Sequence, residues 1–221
     1  VALQLADFSL IYADDALLVL DKPAGLLSVP GRGDDKQDCL SCRVQQLYPD
    51  ACVVHRLDMA TSGLLLMARG SAVQRQLNAA FASRAVHKRY EAVVDGVLTP
   101  LKPPDSDGWS AINLPIRLDW PNRPKSKVDM LHGKPSLTRW RVLSSHAAKQ
   151  TTRLTLQPVT GRSHQLRVHL QAISHPILGD ALYASEQVVA KASRLLLHAT
   201  ELELPHPNSL VPMRFISPPP F

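Results

Sequence analysis

Residues 55 to 68 read HRLDMATSGLLLMA, and the two halves of this stretch behave differently. Leu64 to Met67 is an unbroken apolar run, the length of a strand and too short for a helix, and Val53-Val54 just upstream reads as a second strand. The residues between them, His55 to Gly63, are mostly polar or small, with Leu57 and Met59 the exceptions. They form a connection held at both ends by rigid strands, a placement in which side chains are often put to functional use. Asp58 stands in it between Arg56 and the small-residue turn Thr61-Ser62-Gly63, which leaves room for a ligand to approach. On spacing alone, Asp58 serves equally well as a cap of the turn through a local Asx bond.

Working outward, Ala16 to Leu20 (ALLVL) is a buried strand closed by Asp21-Lys22-Pro23-Ala24-Gly25, with Lys22 at the strand end. Asp38 is a good N-cap for a short helix in which Leu40, Val44 and Leu47 recur before Pro49 ends the pattern. Ser71 is placed to cap a second helix with Val73, Leu77, Ala80 and Phe81 on one stripe. A strand from Arg89 to Asp95 follows. Beyond a Pro-rich passage, Thr138, Trp140 and Val142 alternate with polar residues, as do Leu154 and Leu156, so the two segments read as paired antiparallel strands. Gly161-Arg162-Ser163 opens a helix with Leu166, Leu170 and Ile173 inside and Arg167 on its flank, and Arg194 to Leu204 supplies a late strand. Strands and helices mix without strict βαβ alternation, which predicts α+β rather than a doubly wound sheet. There is no internal repeat.

The 221 residues are 45% hydrophobic, enough for a sizeable core in one domain or two fused lobes. A net charge of +6 suits a polyanionic partner, whereas 5% aromatics argue against an open platform that stacks successive bases. The first ten residues carry Asp7 and lack a basic start, and no uncharged stretch reaches spanning length, so neither export nor membrane insertion is expected. Three cysteines cannot all pair within the chain, which favours a reducing cytoplasm. Cys39-x2-Cys42 and Cys52-x2-His55 offer four zinc-ligand types. The first pair lies inside the expected helix, where cysteine serves as a small apolar residue, so no metal is expected.

HRLDMATSGLLLMA resembles the HRLD-x-x-TSG signature of the RluA family of pseudouridine synthases. The resemblance continues through DKPAGLLSVPG (Asp21 to Gly31), KRYEAVVDG (Lys88 to Gly96), GRSHQLRVHL (Gly161 to Leu170), HPILGDALY (His175 to Tyr183) and RLLLHA (Arg194 to Ala199), in family order. It implies a single catalytic domain spanning residues 1–221, built on a long, mostly antiparallel mixed sheet with flanking helices and a central cleft. The short length, the lack of an N-terminal S4-like domain and DWPNRPKSK (Asp119 to Lys127) are similar to the branch that acts on both ribosomal and transfer RNA. Asp21 departs from the Asn of many relatives, and the cysteines belong to no motif of the family.

By this resemblance Asp58 is the catalytic carboxylate, Tyr90 the Tyr of the K-x-Y motif and Arg167 the Arg that pairs with the Asp. Isomerising uridine breaks N1–C1′, turns the base and joins C5 to C1′. Nothing is oxidised, so no cofactor is required. Positive charge develops at C1′, where a carboxylate stabilises or traps it. Arg56, whose planar guanidinium stacks as well as binds phosphate, is the residue to fill the place of a flipped uridine. Arg123, Lys125, Lys127 and Arg162 are the further RNA contacts. Lys22, His55 and Leu197 support the site, Lys22 as a structural charge in preference to an RNA contact. The expected partner is an RNA stem-loop, bound by a monomer. A glycosidase would commonly need two placed carboxyl groups, and a non-catalytic RNA-binding module would not need Asp58, Tyr90 and Arg167.

Overall fold

The apolar run at residues 64 to 67 falls in the middle of a strand, Ser62–Arg69, in which every residue but the last is buried. Burial on both faces is why the run does not alternate. The structure, a computed structural model, describes residues 9–100 and 104–221. Most of the segment searched for an export signal, and three residues of the Pro-rich passage, lie outside these. In chain order the elements are β1 (Ser9–Ala13), β2 (Leu17–Lys22), α1 (Leu40–Leu47), β3 (Ala51–Val53), β4 (Ser62–Arg69), α2 (Gly70–Ala82), β5 (His87–Asp95), β6 (Ser110–Asn113), β7 (Ile116–Leu118), β8 (Ser126–Val128), β9 (Leu137–His146), β10 (Thr151–Pro158), α3 (Gln165–Ala172), α4 (Glu186–Val189), β11 (Leu197–Pro205) and β12 (Pro212–Ile216).

The chain divides into two compact units, Val1–Lys88 with His198–Pro220, and Arg89–Leu197 with Phe221. In the first, strands run in the order β1-β2-β4-β11, with β12 on β11 and β3 on β4. All these pairs are antiparallel except β4 with β11, which is parallel. Leu17, Val19, Leu64, Leu66, Ala68, Leu202 and Leu204 cluster with Val73 and Leu77 of α2 to make its core. In the second unit the order is β5-β10-β9-β6, again antiparallel, with β7 and β8 as a separate two-stranded ribbon. Tyr90, Leu156 and Trp140 lie side by side in this register, as do Ala92, Leu154 and Val142. The strands are thus mostly antiparallel and the helices few, an α+β organisation.

Several boundaries differ from the sequence reading for local reasons. Cys39, not Asp38, caps α1: its Sγ accepts from Cys42 N at 3.4 Å, while Asp38 is drawn into a two-pronged bond with Arg43 at 2.8 and 2.6 Å. Ser71 does not cap α2 either. Gly70, at φ 78°, turns the chain directly from β4 into the helix, so Ser71 falls inside its first turn. Helix α3 starts after His164 and is buried from Gln165 to Leu170, with Arg167 4% exposed. The late strand begins at Leu197. Strands β1, β6, β7, β8 and β12 escaped the pattern reading because they are short or largely exposed. Among the described residues, no helix is long and apolar enough to cross a membrane.

Candidate active site

The backbone on either side of Asp58 is held by buried polar groups. Ser28 Oγ donates to Leu57 O at 2.7 Å and accepts from Leu57 N at 3.0 Å, a reciprocal pair inside the protein. On the other side, Met59 O accepts from Gly25 N at 2.8 Å and from Lys22 Nζ at 3.1 Å. Lys22 is fully buried at the end of β2, and its ammonium also donates to Pro23 O and Leu26 O, both at 2.7 Å. An ammonium satisfied by three carbonyls is a brace between two loops rather than a surface charge. Thr61 N closes a turn on Asp58 O at 3.1 Å. The carboxylate therefore stands on a short loop tied at both neighbours.

The same loop is fastened to the sheet at each end. His55 Nε2 accepts the Leu66 N–H at 2.9 Å, and its ring lies 5.0 Å from that of Phe81. Burial first, and the Lys88 charge second, push its pKa down to about 3, in keeping with a neutral ring that must accept. At the other end Gly63, at φ 108°, touches β11 so closely that a Cβ would lie 2.3 Å from Ala199 O, which explains the glycine of the TSG turn. Ser62 beside it lies 2.7 Å from His198 Nδ1. His198 Nε2 meets Ser217 O at 3.2 Å and Ser217 Oγ at 3.0 Å, and that hydroxyl donates to Asp21 at 2.7 Å. A carbonyl only accepts, so Nε2 carries a proton towards Ser217. Arg56, in contrast, is exposed.

In the second unit Tyr90 is 9% exposed on the inward row of β5. Arg167 makes a two-pronged bond to Asp180, Nε at 2.9 Å and Nη2 at 2.6 Å, and both side chains are almost fully buried. Helix α3 is seated by Gln165, which donates to Leu137 O and Thr138 Oγ1, both at 3.0 Å. His169 bridges Thr138 Oγ1 and Leu114 O, both at 2.9 Å, and its burial lowers its pKa. Leu197 is buried at the start of β11.

The basic residues group on the β7–β8 ribbon. At its tip the Arg123 guanidinium lies 4.0 Å from the ring centroid of Trp120, which is 61% exposed. Lys127 pairs with Asp119 at 3.1 Å and Arg117 with Asp129 at 3.2 Å, so their charges are largely balanced within the ribbon. Lys125 is half-buried there, and Arg162 is exposed just ahead of α3. Cys39 and Cys42 are engaged at the α1 cap and His55 on β4. Among the described residues no group of three or more His, Cys, Asp or Glu is arranged to hold a metal ion.

The structure thus gathers Lys22, His55, Arg56 and Asp58 on one loop system, and Arg123, Lys125 and Lys127 on one ribbon. Sequence reasoning missed Ser28, His198, Asp180 and Tyr183. All four lie in quoted motif blocks without a role, and Ser28 is further signalled by a hydroxyl set between Leu27 and Val29.

Comparison with known proteins gives these features a family. The family model described as RNA pseudouridylate synthase matches residues 16–172. The chain is 47% identical over 209 residues to the dual-specificity RNA pseudouridine synthase RluA of Escherichia coli (strain K12), covering 95% of this chain and 92% of that protein. It is 48% identical over 199 residues to the protein of the same name in Vibrio cholerae, covering 90% of this chain and 78% of that one. Among solved structures, human RNA pseudouridylate synthase domain containing 1 superposes with a TM-score of 0.77 at 28% identity, over 97% of this chain and 84% of that one. Human RNA pseudouridylate synthase domain containing 4 gives 0.72 at 26%, over 96% and 88%. With a matching model over most of its length and relatives near half identity, the chain belongs to the RluA family of RNA pseudouridine synthases, isomerases that convert uridine in RNA to pseudouridine.

Proposed function

We propose that this enzyme isomerises specific uridines in stem-loops of ribosomal and transfer RNA, acting as a cytoplasmic monomer and as a single catalytic domain, with Asp58 as the catalytic carboxylate. The observation that carries the reading is the loop around Asp58, where Ser28 holds Leu57 from one side and Lys22 and Gly25 hold Met59 from the other. A carboxylate that must meet one face of C1′ needs a backbone that does not drift, and these ties supply it. The dual specificity in the name of the bacterial relatives supports more than one RNA target. The cysteines Cys39, Cys42 and Cys52 are free, which suits a reducing compartment.

In the proposed reaction the uridine leaves its stack, with Arg56 filling the place it vacates. The ionised Asp58 serves C1′ as the N1–C1′ bond breaks and its electron pair passes to the base. Arg167, the Arg that the family motif assigns to this carboxylate, serves the same step. The released uracil turns while it packs on the Tyr90 ring, C5 bonds to C1′, the proton on C5 is lost and N1 gains one. Atoms balance without any group added, so no cofactor enters. Two routes use these groups: Asp58 bonding to C1′, or a glycal formed as Tyr90 removes the C2′ proton. Arg123, Lys125, Lys127 and Arg162 hold the flanking RNA, while Lys22, His55 and Leu197 support the site.

The test is Asp58→Asn, assayed by RNA binding and nucleoside analysis of the product. RNA held as tightly as by the wild type, with no pseudouridine formed, is the expected result. Turnover by the Asn variant removes Asp58 from its role, and release of free uracil by the wild type makes the protein a hydrolase instead.

A further inference from the structure

The segment HPILGDALY, residues 175 to 183, has no part in the roles above, yet it holds Arg167. Asp180 grips the guanidinium, and its Oδ1 also accepts from Leu182 N at 3.0 Å and Tyr183 N at 3.3 Å. These bonds fold the segment back so that the Tyr183 ring covers Arg167, with the guanidinium carbon 5.1 Å from the ring centroid. The hydroxyl of the same residue accepts the Ser126 N–H of β8 at 2.8 Å and lies 2.7 Å from His164 Nδ1. A phenol has one proton to give, and with Ser126 donating to its oxygen that proton is available to His164. His164 is the N-cap of α3, in left-handed backbone at φ 57°, three positions ahead of Arg167.

One side chain therefore touches the Arg167 guanidinium, the start of the helix that carries it, and the ribbon whose tip presents Trp120 and Arg123. The ribbon needs such a tie. Strands β7 and β8 have three residues each and belong to a two-stranded sheet of their own, an arrangement with little stability in isolation. The Ser126 N–H is directed to Tyr183 rather than across the ribbon, so it fixes the height of β8 against α3.

We propose that Tyr183 is a positioning residue that couples RNA docking on the β7–β8 ribbon to the placement of Arg167. The proposal rests on the reading that this ribbon contacts RNA and that Arg167 serves the reaction. RNA pulling on Arg123 and Lys125 shifts β8, the Ser126 bond carries the shift to the Tyr183 ring, and the ring sets the guanidinium. Uridines in an RNA that engages the ribbon are thereby favoured over those in an RNA that does not.

A double-mutant cycle tests it, with kcat/KM measured on a structured stem-loop RNA for wild type, Arg123→Ala, Tyr183→Phe and the pair. Phe keeps the ring over Arg167 and removes only the hydroxyl. Each single change is expected to lower kcat/KM by about tenfold, and the pair by about the same tenfold, because both cut one path. Ser126→Pro deletes the same hydrogen bond from the ribbon side with Tyr183 intact, and it must likewise abolish the effect of Arg123→Ala. It keeps the test open should Tyr183→Phe fail to fold, as thermal melting reports. Losses that multiply to about a hundredfold overturn the coupling while leaving both residues functional. A wild-type rate for Arg123→Ala alone takes the ribbon off the RNA, so the underlying reading fails and the proposal with it.

Discussion

Ser28 shows how much a small hydroxyl contributes at the scale of one residue. It satisfies both polar groups of Leu57, next to Asp58, in a buried place where each lost bond costs about 1–3 kcal/mol. Ser28→Ala is therefore expected to lower the melting temperature by several degrees and to reduce kcat at least tenfold with RNA affinity held, since it loosens the aim of Asp58 and not the RNA surface. Ser28→Thr, which keeps the hydroxyl, should recover most of the rate, and equal kcat in Ala and wild type would show that the bond does not position the carboxylate. Tyr90 poses a separable question. Tyr90→Phe retains the buried ring, so folding and RNA affinity should change little. If the hydroxyl is the base of the glycal route, turnover falls by about a hundredfold and RNA deuterated at C2′ reacts more slowly with the wild type. Wild-type rates in the Phe variant leave only the ring in use.

At the scale of elements, the loop from β3 to β4 is fastened by a histidine that must stay neutral. His55 accepts from Leu66 N, and its folded pKa of about 3 lies below the ordinary value of 6.5. Between these values the unfolded chain binds the proton and the folded one does not. The stability due to this histidine is whole above about pH 6.5 and is lost as the pH falls toward 3, by up to about 1.4 kcal/mol per unit. His169 adds in the same direction, its pKa also lowered by burial. Urea unfolding at pH 7.5 and 5 should show this loss, and His55→Gln, whose amide oxygen can still accept from Leu66 N, should flatten it. An unchanged slope in the Gln variant would assign the acid sensitivity to other groups.

For the whole molecule, the surplus of +6 matters through where it is not already neutralised. Lys127 and Arg117 spend their charge on Asp119 and Asp129, whereas Arg123 is stacked on Trp120 with its charge intact. RNA affinity is expected to fall steeply with salt, and Arg123→Ala or Lys125→Ala should each reduce the slope of log K against log salt by about one. Lys127→Ala should reduce it less, because it also releases Asp119. Filter binding across a salt series decides this, and equal slopes for all the variants would place the RNA elsewhere.

Much of this was legible in the chain itself. The runs at residues 16 to 20 and 64 to 67, and the alternation around Trp140 and Leu156, determined buried and half-buried strands, because burial imposes its period directly on side-chain polarity. The motif blocks determined the family, since they set residue types at fixed offsets. Helix starts were less legible: whether Asp38 or Cys39 caps α1 depends on Arg43 competing for the carboxylate, a contact that spacing does not reveal. Only the tertiary structure decided that Arg167 is buried against Asp180, that Ser28 reaches Leu57, and that Tyr183 ties a ribbon to α3. Each of these joins residues separated along the chain, and a polar pair buried by packing leaves no periodic trace in the sequence that makes it.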